Sequence, residues 1–175
     1  MSTPNRVDVP IRAAAITVSD ACSRGEREDD SGAALVELLE ASGAEVVEKG
    51  ILSDDLEPLV QRLEEIARRG HVNLILTTGG TGLGPRDNTP EATRRVIERE
   101  APGIAEAIRA ASLKVTPMAM ISRGVAGVAS AAPGAASGTL IINLPGSPKA
   151  VRESFAVIQP VLAHAIDLLA GKTRH

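Results

Sequence analysis

Aromatic side chains are almost missing from this 175-residue chain, which has one Phe, at position 155, and no Trp or Tyr. That excludes recognition of bases by stacking on an aromatic platform. It also means that the core is built from Ala, Val, Leu and Ile, and that any aromatic ligand is held by backbone, aliphatic and polar groups. A single cysteine, Cys22, excludes an intrachain disulfide and fits a reducing, cytoplasmic compartment. No apolar run is long enough to span a bilayer. The opening MSTPNRVDVP holds no apolar signal core and reads as a loose arm. Positive charge is not in excess: the formal net charge of −3 argues against general binding to nucleic acid or membranes, while leaving room for a local basic pocket. His71, His164 and His175 are scattered, which argues against a zinc site.

What is present is an alternation of apolar runs and amphipathic stretches. AAAITVSD (13–20), AEVVEKGIL (44–52) and VNLILTT (72–78) read as strands, the last the most buried. Between them, Ala34, Leu35, Leu38 and Leu39 share a helical face, with Asp30 or Ser31 as its cap and Gly43 at its end. Leu56, Leu59, Val60, Leu63, Ile66 and Ala67 share another, stopped by Gly70. Thr89 and Pro90 are expected to open a further helix as N-cap and first-turn proline. Pro102-Gly103 is expected to break it, with Ile104, Ala107, Ile108 and Ala111 continuing beyond. GVAGVAS and GTLIINLP then flank a small-residue loop and read as two strands of a hairpin. Ser147-Pro148 opens a last helix whose stripe is Val151, Phe155, Ile158, Leu162, Ala165, Ile166 and Leu169, with Pro160 expected to kink or interrupt it. The pattern predicts an α/β three-layer sandwich: a mostly parallel sheet with one antiparallel strand and helices on both faces. Residues 13–171 are expected to form one domain, with an arm over 1–12 and a tail over 172–175.

Open α/β sheets bind ligands beyond the carboxyl ends of their strands, and three such ends carry unusual residues. The first gives Ser19 and Asp20, the third Gly79-Gly80-Thr81-Gly82, and the last Asn143-Leu144-Pro145-Gly146-Ser147. Glycines without side chains let backbone N–H groups approach an anion, and the following helix start favours negative charge. The alternative is a tight turn that needs positive φ. The stretch TTGGTGLGPRDNTPEA lacks both the Walker and the dinucleotide-binding patterns. Asp87, in the same loop, either caps the helix, pairs with Arg86, or holds a Mg²⁺ that bridges carboxylate and phosphate; its position beyond a glycine-rich strand end favours the metal. Asp54 with Glu57 resembles a capping pair and alternatively supplies a second metal ligand. Ser147 is an N-cap candidate, and the GSPK start of the last helix offers backbone donors and Lys149 to a terminal phosphate. Cys22 reads as a bystander thiol, and the charged run 26–30 as a solvated loop.

SDACSRGEREDDSG, TTGGTGLGPRDNTPEA, PGIAEAIR, AMISRGVAG and IINLPGSPKAV together resemble the MogA/MoaB molybdopterin adenylyltransferases and the corresponding domain of gephyrin, over about Ala13 to Leu169. The resemblance implies a molybdopterin-binding-like fold and a role in molybdenum cofactor biosynthesis. The terminal phosphate of molybdopterin would attack the α-phosphate of Mg·ATP, giving adenylylated molybdopterin and pyrophosphate. Gly79, Gly80, Thr81 and Gly82 would cradle nucleotide phosphates, with Ser19 and Asp20 lining the site. Asp87 and Asp54 would be the catalytic acidic residues and Mg²⁺ ligands, and Pro145, Gly146, Ser147 and Lys149 would hold the pterin's phosphate end. It further implies a homotrimer, or a hexamer of paired trimers, and hand-over of product to a molybdenum-inserting enzyme. Two alternatives stay open: a non-catalytic molybdopterin-binding member, and a nucleotide pyrophosphatase of the CinA type.

Overall fold

The structure, a computed structural model, describes residues 9–172 other than 132 and 136. Among the described residues six strands form one sheet: β1 (Arg12–Val18), β2 (Glu45–Leu52), β3 (Leu74–Thr78), β4 (Arg99–Glu100), β5 (Ala126–Ala129) and β6 (Thr139–Leu144), in the order β2-β1-β3-β6-β5-β4. Neighbouring pairs among β2, β1, β3 and β6 are parallel, whereas β5 is antiparallel to both β6 and β4. One strand therefore runs against the other five, as the late hairpin requires. The helices are α1 (Asp20–Ser23), α2 (Asp30–Ala41), α3 (Leu56–Arg68), α4 (Thr89–Val96), α5 (Pro102–Leu113) and α6 (Pro148–Leu169), with a 3₁₀ turn at Pro117–Ile121.

The sheet is apolar on both faces because its strands send successive side chains to opposite sides. Ala13 and Ala15 of β1, Leu74 and Leu76 of β3, and Leu140, Ile142 and Leu144 of β6 meet α2, α5 and α6. Ala14, Ile16 and Val18, with Ile75 and Ile141, meet Leu59, Leu63 and Ile66 of α3 and Ala92 of α4. The small alanines of β1 let α2 sit close, and Phe155 fills the first layer at 2% exposure. Truncating the only aromatic side chain should leave a cavity costing about 3–5 kcal/mol. Phe155→Ala is thus expected to lower the melting temperature by roughly 10 °C, read by circular dichroism; a fall of only a degree or two would place Phe155 outside the weight-carrying core.

Several local details differ from the sequence reading. Asp29, not Asp30 or Ser31, caps α2, its Oδ1 accepting from the Gly32 N–H at 2.9 Å. Asn88 occupies the N-cap of α4, and Thr89 lies one residue inside. Pro102 opens α5 rather than breaking α4, because β4 intervenes and returns the chain to the sheet edge. On α5 it is Ala105, not Ala107, that is buried with Ile108. Helix α6 runs unbroken through Pro160. Pro160 and Ala156, whose carbonyl that proline leaves unbonded, are both exposed, so water can take up the lost bond. Of the stretch expected as an arm, residues 1–8 lie outside the described residues. Val9 is packed rather than loose: its N–H donates to Asp167 Oδ1 of α6 at 3.0 Å. The tail expected over 172–175 lies outside them beyond Lys172. Among the described residues, no helix is long and apolar enough to cross a membrane.

Candidate active site

The connection after β1 runs to β2 on one side of the sheet, and the chain after β3 moves to the other side, so the crevice between β1 and β3 is the switch point of the sheet. Four loops meet beyond it. Ser19 follows β1 and caps α1 by accepting from the Cys22 N–H, while its own N–H donates to the Leu52 carbonyl of β2. Asp20 and Asp54 clasp each other: the Asp20 N–H donates to Asp54 Oδ2 at 2.8 Å, and the Asp54 N–H to Asp20 Oδ1 at 3.1 Å. Asp54 therefore ties two loops together instead of capping α3. Asp55 stands at that cap without a side-chain bond to the N–H groups of the helix, and Glu57 pairs with Arg95.

The glycine-rich loop divides its glycines between two tasks. Gly79 and Gly80 have φ of 96° and 65°, which only glycine adopts readily. A Cβ on Gly79 would overlap the Val18 carbonyl oxygen, and one on Gly80 the Thr89 hydroxyl. That hydroxyl donates to the Gly79 carbonyl at 2.9 Å. Gly82 and Gly84 instead make room for a carboxylate, since a Cβ on either would lie 2.8 Å from Asp87 Oδ2. The Gly84 N–H donates to that oxygen at 2.8 Å. Among the described residues, the N–H groups of Gly80, Thr81 and Gly82 have no hydrogen-bond partner and are free for a ligand.

Charge is sorted sharply across the crevice. Arg86 pairs not with Asp87 but with Asp20, at 2.6 and 2.9 Å, and with Asp55 at 3.0 Å. The guanidinium, helped by the Asp54 N–H, holds the Asp20 carboxyl down at about 2, and the two carboxylates push Arg86 up. Asp54 moves the other way. Burial raises its pKa most, and the negative charges of Asp20 and Asp87 add to this against the Asp20 N–H bond. Asp54 and Asp87 thus repel each other across the loop, and the Arg86 charge offsets this only in part. Among the described residues no cluster of three or more His, Cys, Asp or Glu could hold a metal alone. Two carboxylates beside free N–H groups fit Mg²⁺, which is bound through one or two carboxylates together with phosphate oxygens.

The fourth loop follows β6. The Thr78 hydroxyl donates to the Pro145 carbonyl at 2.8 Å, and Gly146 packs against Gly79 so closely that a Cβ would lie 3.2 Å from its Cα. Ser147 caps α6, accepting from the Ala150 N–H. A cleft of about 210 Å³ opens there, lined by Gly146, Ser147 and Pro148 with Cys22, Arg27 and Ser31, and by the acidic Glu28 and Asp30. Lys149 is not among its walls; it is exposed and pairs with Glu153 at 3.7 Å.

The family described as "Probable molybdopterin binding domain" matches residues 14–164. The chain belongs to this family, which works in molybdenum cofactor biosynthesis. It is 36% identical to the molybdopterin adenylyltransferase of Helicobacter pylori J99 over 163 residues, 92% of this chain and 89% of that one. It is 41% identical to the molybdenum cofactor synthesis protein cinnamon of Drosophila melanogaster over 88% of this chain but only 25% of that protein. The crystal structure of the molybdopterin biosynthesis enzyme MoaB from Thermus thermophilus superposes with a TM-score of 0.82 at 48% identity, covering 93% of this chain and 98% of that one. A CinA protein from Thermoplasma acidophilum, at 19% identity and a TM-score of 0.60, shares the fold.

Two cations of this molybdopterin-binding domain escape a reading of the sequence. Arg27 lies in the charged run read as a solvated loop, yet its Nη2 donates to Ser19 Oγ at 3.1 Å and its side chain lines the cleft at α6. Arg123 staples the glycine-rich loop. Its N–H donates to the Thr81 carbonyl at 2.8 Å, its Nε to the Gly82 carbonyl at 2.6 Å and its Nη2 to the Asp87 carbonyl at 2.6 Å, while Nη1 pairs with Glu91. Three of these bonds end on backbone oxygens roughly forty residues upstream, and backbone oxygens carry no sequence signature.

Proposed function

We propose that this chain is a molybdopterin adenylyltransferase: the terminal phosphate of molybdopterin attacks the α-phosphate of ATP, a new P–O–P linkage forms, and pyrophosphate leaves. The observation that carries the reading is the pairing of unpartnered loop amides at Gly80, Thr81 and Gly82 with two facing carboxylates, Asp54 and Asp87, in a member of this family. The amides would take nucleotide phosphate oxygens as hydrogen-bond acceptors. Ser19 and Asp20 would line the crevice, with Arg86 already committed to holding Asp20. Pro145, Gly146 and Ser147 would meet the pterin's phosphate at the start of α6; Arg27 takes the place first expected of Lys149. Asp54 and Asp87 would hold Mg²⁺, which when bound neutralises phosphate charge and screens the two carboxylates from each other. A phosphate nucleophile is already anionic at neutral pH, so alignment and charge neutralisation suffice without a general base. The test is pyrophosphate release from Mg·ATP with and without molybdopterin. Release that requires molybdopterin supports the transferase, release without it points to a pyrophosphatase, and no release points to a binding protein.

The raised pKa of Asp54 gives a pH prediction with a definite sign. A carboxyl that keeps its proton to higher pH than usual binds a cation poorly on the acid side. At limiting Mg²⁺ the rate is therefore expected to rise with pH through a midpoint above the ordinary aspartate value. Saturating Mg²⁺ should move that midpoint to lower pH, because the cation favours the ionised form. A profile indifferent to Mg²⁺ concentration would remove Asp54 from the metal site.

The same reading includes a homotrimer, or a hexamer of trimers, hand-over of product to a molybdenum-inserting enzyme, and a cytoplasmic location that the lone, buried Cys22 supports. Exposed Leu113, Val115, Met118, Met120 and Ile121 crowd one short stretch and support assembly. Light scattering after size exclusion is expected to give a multiple of three times 18.1 kDa. Detection needs refractive index, since the chain has no Trp or Tyr. A concentration-independent monomer would defeat the trimer.

A further inference from the structure

Arg123 also lines a second cleft, of about 320 Å³, whose walls include no residue of the glycine-rich loop. Three guanidiniums from separate elements line it: Arg94 of α4, Arg109 of α5 and Arg123 of the segment before β5. The first and third have counter-charges. Arg123 pairs with Glu91, and Arg94 Nε lies 3.5 Å from Glu100 Oε1. Arg109 has none. Its Nη1 donates to the Gly124 carbonyl at 2.8 Å and reaches the Ser122 carbonyl at 3.5 Å, and among the described residues no carboxylate pairs with it. The two carbonyls occupy one nitrogen and neutralise nothing. A half-buried guanidinium is planar, always charged and rich in donors, so leaving it without an anion in a cleft is unfavourable. The first turn of α5 borders the same space through Pro102 and Ala105, and the N-terminal end of a twelve-residue helix adds positive potential.

We propose that this cleft binds a phosphate-class oxyanion, inorganic phosphate or pyrophosphate, with Arg109 as its anchor and Arg94 as a second donor. The site is separate from the phosphate-binding role assigned to the glycine-rich loop and does not depend on adenylyl transfer. Its wall at Arg123 is shared with that loop. An anion held there therefore bears on the residue that fixes the Thr81, Gly82 and Asp87 carbonyls. Glu100 is the one lining carboxylate and opposes the ligand.

Calorimetric titration of the full chain with inorganic phosphate, and separately with pyrophosphate, at low ionic strength and without nucleotide tests this. At least one of the two is expected to bind saturably. Arg109→Gln should weaken that binding at least tenfold, Glu100→Gln should tighten it at least threefold, and Asp87→Asn should leave it within twofold. Absence of saturable binding by both anions overturns the proposal, as does unchanged affinity in a folded Arg109→Gln protein. A change confined to Asp87→Asn would put the anion in the glycine-rich loop and overturn it equally. Should Arg109→Gln not fold, Glu100→Gln decides alone: no tightening refutes the site. None of these readouts requires turnover, so they stand or fall apart from the proposed reaction.

Discussion

Replacing Asp87 by Asn is expected to leave the fold intact and to slow adenylyl transfer on the order of a hundredfold, a loss of about 3 kcal/mol of transition-state stabilisation. The fold survives because an Asn side-chain oxygen still accepts from the Gly84 N–H, the bond that seats Asp87 between Gly82 and Gly84. What disappears is the charge. Of the two carboxylates proposed to hold Mg²⁺, Asp54 then remains, and it is already reluctant to ionise. A second consequence follows from the same geometry. The negative charge of Asp87 helps to raise the Asp54 pKa, so the variant's acid limb should move to lower pH even as its rate falls. Turnover at saturating ATP, measured across a range of Mg²⁺ concentrations, checks both. Wild-type turnover at saturating Mg²⁺ would take Asp87 out of the mechanism.

Gly79→Ala is expected to be the most damaging small substitution. The added methyl group meets the Val18 carbonyl oxygen, a backbone atom that cannot swing aside, at a φ of 96° that alanine resists. Strain and overpacking together should cost about 3 kcal/mol, roughly 10 °C in melting temperature for a chain of this length. Relief of the clash would displace Val18 and with it Ser19 and Asp20, and would disturb the contact with Gly146. Nucleotide affinity should therefore fall along with stability. Gly103→Ala is the control. It lies in α5 with no positive φ and no atom within 4 Å of its Cβ position, so the change should be neutral or stabilise by about 0.5–1 kcal/mol. Equal melting temperatures for the two variants would mean that the crowding at Gly79 carries no weight.

The elements that sequence reading recovers are those whose signal is local. ITV and LILTT are apolar runs bounded by polar residues, and a run buried on both faces has few alternatives. The Ser147 cap and the glycine-rich loop are legible for the same reason. Misses occur where the partner is remote or the choice is degenerate. Asp29 competes for the α2 cap with Glu28 and Asp30 in an unbroken acidic run, and what selects it is the Thr17 hydroxyl of β1, which donates to Asp29 Oδ2 at 2.7 Å. Strand β4 spans two residues, too short for any periodicity. Asp54 looks like a helix cap because Glu57 stands three residues on, but the N–H it takes belongs to Asp20, thirty-four residues away. Arg123 and Arg27 escape notice because their partners are set by the tertiary fold and not by neighbours in sequence.

The most direct test of the central claim is a single-turnover reaction of the purified chain with molybdopterin and Mg·ATP, resolved by mass spectrometry. The expected result is one new species with the mass of molybdopterin plus an adenylyl group, formed with one equivalent of pyrophosphate, and formed about a hundredfold more slowly when Asp87 is Asn. Unmodified molybdopterin beside intact ATP, or AMP released without any adenylylated pterin, would contradict it.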